Sequence, residues 1–419
     1  DTVGGNVGGG DGACPGLGAP RRVHGVHVAA RAGRRRRQGP DARSSSDGGD
    51  ISLLAMEGSI RVMGLLEELS AEEQAILNGR STTGIHNAGM ADGGGAISLV
   101  AEGLGSDVVL SQNITAQGAI SLNAADAVLT QGADIGALGQ GSTVTVSALA
   151  GNIELGGDLS SGDGVFGAAI SLEAGASIVM GSGTVISTSG AAGQVSLDAV
   201  GDIDLGQLRV GSLAVVRSGT GAIKNALSDT LQTDTFNIDG DTASVVLSAA
   251  TGIGAAGTSG LGAALQTRVA QLELTNSLSG AIYIQEATDL EIVDTTASAD
   301  ASAGINARGA QVDGDALVSI VVSAGDLTVS SAIQTSAAGA VVLGNNDILL
   351  TTLAGDITIA SGVSASGGDV HLTSSGQITL ANTAFVNQQF TDHYAFVPTY
   401  IKPVRITPSK KDALGRMVD

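Results

Sequence analysis

The chain has 419 residues, among them 63 Gly, 6 Pro, one Cys and no Trp, and only 2% of it is aromatic. Its single cysteine, Cys14, excludes an intramolecular disulfide and a cysteine-based zinc site, and no apolar run is long enough to cross a membrane as a helix. The formal net charge of −21 sets its surface against nucleic acid and anionic lipid headgroups.

Residues 1–47 run counter to that balance, with eight Arg against four Asp and Arg34–Arg37 in a row. No hydrophobic period runs through them, so a disordered Gly/Arg-rich tail is expected. The first residue is Asp rather than Met, as in a fragment or a processed product. Over residues 48–94 the expectation is a first set of coils with a helical cap or insertion. GDISL at Gly49–Leu53 and GSIRV at Gly58–Val62 are followed by Leu65–Leu77, the best helical stretch in the chain. There Ser70 and Glu73 form a capping box and Asn78-Gly79 a stop.

Residues 95–384 carry the repeat. GAISL stands at Gly95–Leu99 and Gly118–Leu122, GSTVTV at Gly141–Val146, GAAISL at Gly167–Leu172 and GQVSL at Gly193–Leu197. Segments cut at Gly95, Gly118, Gly141, Gly167, Gly193 and Gly219 have lengths of 23, 23, 26, 26 and 26 residues. A fixed period of this size marks a stacked array. Within Gly118–Leu122, alternation puts Ile120 and Leu122 on one face of a strand and Ser121 on the other. Each segment holds two more short strands, such as Asp107–Leu110 and Asn113–Thr115, with Gly, Asp, Asn or Ser at the corners.

The predicted fold is therefore all-β: a right-handed parallel β-helix of about 22–26 residues per coil, as the segment lengths indicate. An antiparallel sandwich needs tight Asn-Gly turns, which are scarce here, and has no reason to repeat one pentapeptide. Beyond Gly240 the rhythm loosens, and Ala297–Ala310 reads as a polar loop. It returns in GDLTV at Gly325–Val329, GDITI at Gly355–Ile359, GDVHL at Gly368–Leu372 and GQITL at Gly376–Leu380. Residues 385–419, with three Phe, two Tyr and three Pro, are expected to form a cap or linker.

Candidate chemistry is sparse. Asp202 and Asp204, two apart on one strand, would both point outward; such a pair suits glycoside hydrolysis or a hard cation. Glu173 and Asp198 are expected one turn or one coil away. The Asp-Gly-Asp runs Asp239–Asp241 and Asp313–Asp315 hint at calcium without the spacing of an EF-hand or a tandem GGxGxD array. The competing reading of all six (Asp202, Asp204, Asp239, Asp241, Asp313, Asp315) is the polar half of a strand alternation or a corner. His371, between Val370 and Leu372, should face solvent. No catalytic residue and no cofactor is assigned.

The phrases GDITI, GDLTV, GAISL and GNIEL, with TGIGAAG at Thr251–Gly257 ahead of VAQLEL and GAIYI, resemble the giant repeat adhesins of bacteria. These are the filamentous-haemagglutinin-like surface and secreted proteins. The resemblance covers roughly Gly49–Leu380. It implies a right-handed parallel β-helix, exported to the cell surface or secreted, serving as a stalk or adhesive surface for a carbohydrate or a neighbouring cell. Two alternatives stand beside this non-catalytic reading: a pectin-lyase-like polysaccharide-acting enzyme and a cation-dependent binding module.

Overall fold

The computed structural model describes residues 27–30, 43–44, 50–62, 85–87, 95–162, 167–227, 235–257, 263–294, 305–309, 317–337, 346–365 and 368–381. Contacts divide the chain into two compact units, Asp1–Ala384 and Phe385–Asp419. The predicted helix at Leu65–Leu77, the Asp313–Asp315 run and the aromatic C-terminal segment lie outside the described residues.

Every described element is a strand, and the architecture is a parallel β-helix. In the first half each coil contributes three strands, and each strand pairs in parallel with its equivalent one coil along. The leading column holds the longest strands: Ile97–Ala101, Ile120–Ala124, Thr143–Ala148, Ala169–Ala174, Gln194–Ala199 and Leu213–Ser218. The middle column runs from Ile60–Val62 through Val108–Leu110 to Ile223–Asn225, and the trailing column from Ile85–Asn87 through Ile114–Ala116 to Gln207–Arg209.

The predicted stacking is what the register shows. Ile97 faces Ile120, Leu99 faces Leu122, and Ile120 in turn faces Val144. All five are fully buried, whereas Ser98 and Ser121 keep partial exposure. One apolar core runs from Ile51 to Val363. It consists almost entirely of Ile, Leu, Val and Ala, so the scarcity of aromatics is what a narrow coil interior requires.

Aspartates at the corners have a role that alternation alone did not reveal. Asp289 Oδ1 accepts the backbone N–H of Asp326 at 2.8 Å, Asp326 Oδ1 that of Asp356 at 2.8 Å, and Asp356 Oδ1 that of Gln377 at 2.6 Å. The same ladder links Asn113 to Asp134, Asp134 to Asp158, and Asp158 to Val185. Each side chain satisfies an amide just ahead of the next strand, where the sheet supplies no carbonyl. This explains the glycine in the Gly-Asp phrase. A Cβ on Gly376 would sit 2.0 Å from Asp356 Oδ1, and one on Gly325 would sit 2.4 Å from Asp289 Oδ1. The phrase is thus a ladder rung preceded by the space the previous rung occupies. Asp326→Ala should lower stability by about 1 kcal/mol at most, the value of one hydrogen bond. Asp326→Asn keeps the acceptor, so its urea midpoint should lie close to that of the unchanged chain; equal loss in both variants would rule the ladder out.

Three sequence expectations need correction. The tail is not wholly without structure: His27–Ala30 pairs antiparallel with Ile51–Leu54, and Arg43–Ser44 pairs in parallel with His86–Asn87. The first of these is the only antiparallel pairing among the described residues, and its HVAA sequence is too short to reveal a period. Second, the polar loop at Ala297–Ala310 ends in a strand, Ile305–Gly309, which pairs with Leu274–Asn276 and with Ile333–Ala337. Ile305 is buried there, and it is the one large apolar side chain in the sequence INARG, too little for a periodicity to show. Third, the repeat between residues 238 and 276 does not merely loosen. It condenses into two 12-residue strands, Ile238–Ala249 and Leu265–Asn276.

The second of these long strands re-divides the columns. Its head pairs with Ile284–Glu286, its centre with Glu291–Ile292 and its tail with Ile305–Ala307. Upstream, its parts continue the trailing and leading columns through the pairings with Ile238–Ala249. The upstream middle column passes through Ile223, Ile253 and Ile282 into the downstream leading column of Val318–Val322, Ile348–Thr352 and Val370–Ser374. Equivalent phrases therefore change column at this joint. The buried polar side chains Asn225, Asn237, Gln266, Thr267, Glu273, Asn276 and Glu286 all cluster there.

Candidate functional site

Asp202 and Asp204 flank Ile203 on the strand Ile203–Leu205, whose inward Ile203 and Leu205 are fully buried. The next coil brings up Lys224, in register with Asp204. Its ammonium ion-pairs with Asp202 Oδ2 in a close contact, while Asp202 Oδ1 accepts the Ala222 N–H at 2.8 Å. Asp202 is thus a ladder rung that also holds a lysine.

The two carboxyls are pushed in opposite directions. Burial raises Asp202, but the Lys224 hydrogen bond, the Ala222 amide and the Lys224 charge together carry it below the ordinary aspartate value. Burial dominates at Asp204 and raises it; Lys224 pulls the other way, and the Asp202 charge adds to the rise. Asp204 Oδ1 has no hydrogen-bond donor. In stability terms, Asp202 contributes above its unfolded pKa and loses that contribution as pH falls through its depressed folded value. Asp204 behaves inversely, its contribution disappearing as pH rises through its raised one.

Lys224 was missed because it is 20 residues beyond Asp204 in a repeat read as 26. The signal was present: GAIKN at Gly221–Asn225 aligns with GDIDL at Gly201–Leu205, placing Lys224 over Asp204 and Asn225 over Leu205. Glu173 and Asp198 face each other across the leading column, on a different face of the coil from Asp202, and Asp198 is in register with Arg217.

Asp239 and Asp241 share Arg268. Arg268 Nη2 lies 2.8 Å from Asp239 Oδ1, and Nε lies 2.8 Å from Asp239 Oδ1 and 3.1 Å from Asp241 Oδ1. The guanidinium carbon stands 5.0 Å from the centre of the Phe236 ring. The Arg268 guanidinium thus already compensates the charge of this Asp-Gly-Asp run. Among the described residues no group of three or more His, Cys, Asp or Glu is placed to hold a metal ion. His371 is exposed, as its alternation predicts.

Sequence reasoning did not single out Glu286 either. It is fully buried, and its carboxylate accepts the hydroxyls of Thr267 at 2.7 Å and Thr288 at 3.1 Å. It also takes the amides of Ala287 and Thr288 at 2.9 and 3.0 Å. Burial still wins and raises its pKa against the pull of the Thr288 amide, the Thr267 and Thr288 hydroxyls and the Val269 amide. Its partners belong to the joint between column sets, so it fastens an irregular corner rather than facing a cleft.

These features define a class, an acidic parallel β-helix repeat protein whose polar groups mostly bind its own coils. The chain matches no protein-family profile, no curated protein and no solved structure. Among the described residues no helix is long and apolar enough to cross a membrane.

Proposed function

We propose that the chain is a structural and adhesive segment of a large surface-exposed or secreted bacterial protein, with no catalytic activity of its own. The observation that carries this reading is the sameness of the outer surface from coil to coil. On the leading column Ser98, Ser121, Thr145, Ser171 and Ser196 stack in register. Such a surface offers many equivalent weak contacts, which add by multivalency rather than through one decisive residue. Export to the cell surface and a carbohydrate or neighbouring-cell ligand belong to the same proposal.

One observation favours the enzyme alternative: Asp202 and Asp204 are carboxyls driven apart in pKa, a pattern that acid/base pairs share. Against it, Asp202 commits one oxygen to the Ala222 amide and the other to Lys224, so both are engaged in holding the next coil. The expected result is no reducing-sugar release and no unsaturated product from a panel of neutral and acidic polysaccharides. Turnover that disappears in Asp202→Asn or Asp204→Asn would replace the adhesive reading with the enzymatic one.

A further inference from the structure

On the outer side of the trailing column, a shallow groove of about 470 Å³ runs along the coil axis. Its floor is one residue from each of five successive coils: Thr115, Gly136, Ser160, Ser187 and Arg209. At the usual parallel-strand separation these five span about 19 Å. The ladder residues Asp134 and Asp158 stand on one side and the half-exposed Leu138 on the other.

We propose that this groove binds a linear, uncharged polysaccharide lying along the coil axis, a proposal that rests on the adhesive reading above. Three of the five floor residues, Thr115, Ser160 and Ser187, carry hydroxyls, and those of Ser160 and Ser187 are one coil apart, close to the advance of one sugar unit in an extended glycan. Asp158, whose Oδ1 alone is taken by the Val185 amide, supplies an acceptor for a sugar hydroxyl through Oδ2, and Leu138 supplies an apolar wall for a ring face. At one end Arg209 is exposed, and its guanidinium is in no ion pair among the described residues. It is free to donate to ring and hydroxyl oxygens. A polyuronate fits worse, because the two wall carboxylates and the net charge of −21 repel it.

Gly136 is the strongest indication. Its φ is not in the left-handed region, and a Cβ there would meet only ordinary contacts: Ser160 Oγ at 3.4 Å, Leu138 Cδ2 at 3.5 Å and Thr115 Cγ2 at 3.9 Å. Backbone geometry does not ask for glycine, and glycine weakens a strand interior. Gly136 itself is buried beneath Thr115, Leu138 and Ser160, and a larger side chain there would rise between Thr115 and Ser160 and fill the floor.

The test is calorimetric or NMR titration of the full chain with maltohexaose, cellohexaose and a hexamer of galacturonate. Without aromatic platforms the expected affinity for a neutral hexasaccharide is weak, with Kd about 0.1–1 mM. Gly136→Val should weaken it at least tenfold while the thermal midpoint holds or rises, and Arg209→Ala should weaken it severalfold. Val179→Thr, on the outer side of the middle column, should leave it unchanged, and the galacturonate hexamer should not compete. Two results overturn the groove assignment but leave the adhesive reading standing: Gly136→Val binding as tightly as the unchanged chain, or galacturonate competing equally. Failure of both neutral hexasaccharides to bind also overturns it. Retention of the chain on immobilised polysaccharides and on cell surfaces then judges the adhesive reading separately.

Discussion

Ile120→Asp is expected to lower the stability of the chain by more than about 3 kcal/mol, while Ser121→Asp, one residue along, changes it by less than about 0.5 kcal/mol. Ile120 is fully buried between Ile97 and Val144 in the interior column. An aspartate there must either lose its hydration without a partner or bind a proton, and the neighbouring coils offer only apolar contact. Ser121 lies on the outer side of the same strand, between Ser98 and Thr145, where a carboxylate stays hydrated. Urea unfolding of both variants reads the difference. Because each coil touches only its neighbours, Ile120→Asp should also split one cooperative transition into two. Equal midpoints would mean that the strand is not oriented as described.

Asn237→Ala carries the second large effect, on the order of 2–3 kcal/mol. Asn237 is fully buried and acts as a four-way bracket at the joint. Its amide donates to Leu205 O at 2.7 Å, Gly206 O at 3.2 Å and Asn225 Oδ1 at 3.0 Å, and its Oδ1 accepts the Gln266 N–H at 2.9 Å. Truncation leaves the Gln266 amide without its acceptor in a place water does not reach. Asn237→Asp should be worse at neutral pH, because it keeps that acceptor but sets a negative charge against three oxygens. Its stability should partly recover as pH falls and the new carboxyl binds a proton. Thermal midpoints across pH separate the cases, and an Asp variant as stable as the unchanged chain would show that the bracket is idle.

The interior was legible in the sequence because an apolar residue at every second position has one physical meaning in a stacked coil. Ile97, Leu99, Ile120 and Leu122 could be placed from the pentapeptide alone. The corners were not legible in the same way. Asp289, Asp326 and Asp356 look like surface charge when each is read within its own segment. Their acceptor role appears only once successive coils are laid over one another, since the bonded amide lies 21 to 37 residues away. Lys224 was hidden for the same reason. Its coil is shorter than the repeat suggested, so it arrives over Asp204 earlier than a fixed period predicts. The joint failed differently: Asn225, Asn237 and Glu286 break the apolar rule at buried positions, and composition gives no hint that hydrogen bonds compensate them.

The re-division of columns at Leu265–Asn276 has a consequence for how the chain faces the outside world. A Gly-Asp phrase that belongs to the middle column before the joint, as at Gly201–Leu205, is met after it in the column that continues the leading one, as at Gly355–Ile359. Copies of one motif therefore look out from different faces of the coil. A ladder of identical phrases on an unbroken coil would be a one-sided ribbon, usable only by a partner approaching from that side. With the joint, kindred surfaces wrap onto a second side of the rod, so two neighbours could dock on different flanks without competing. Aligning the repeats by letter alone would superpose residues that never share a flank. The strand with its corner, rather than the whole coil, is then the unit in which this chain can be lengthened, trimmed or rearranged.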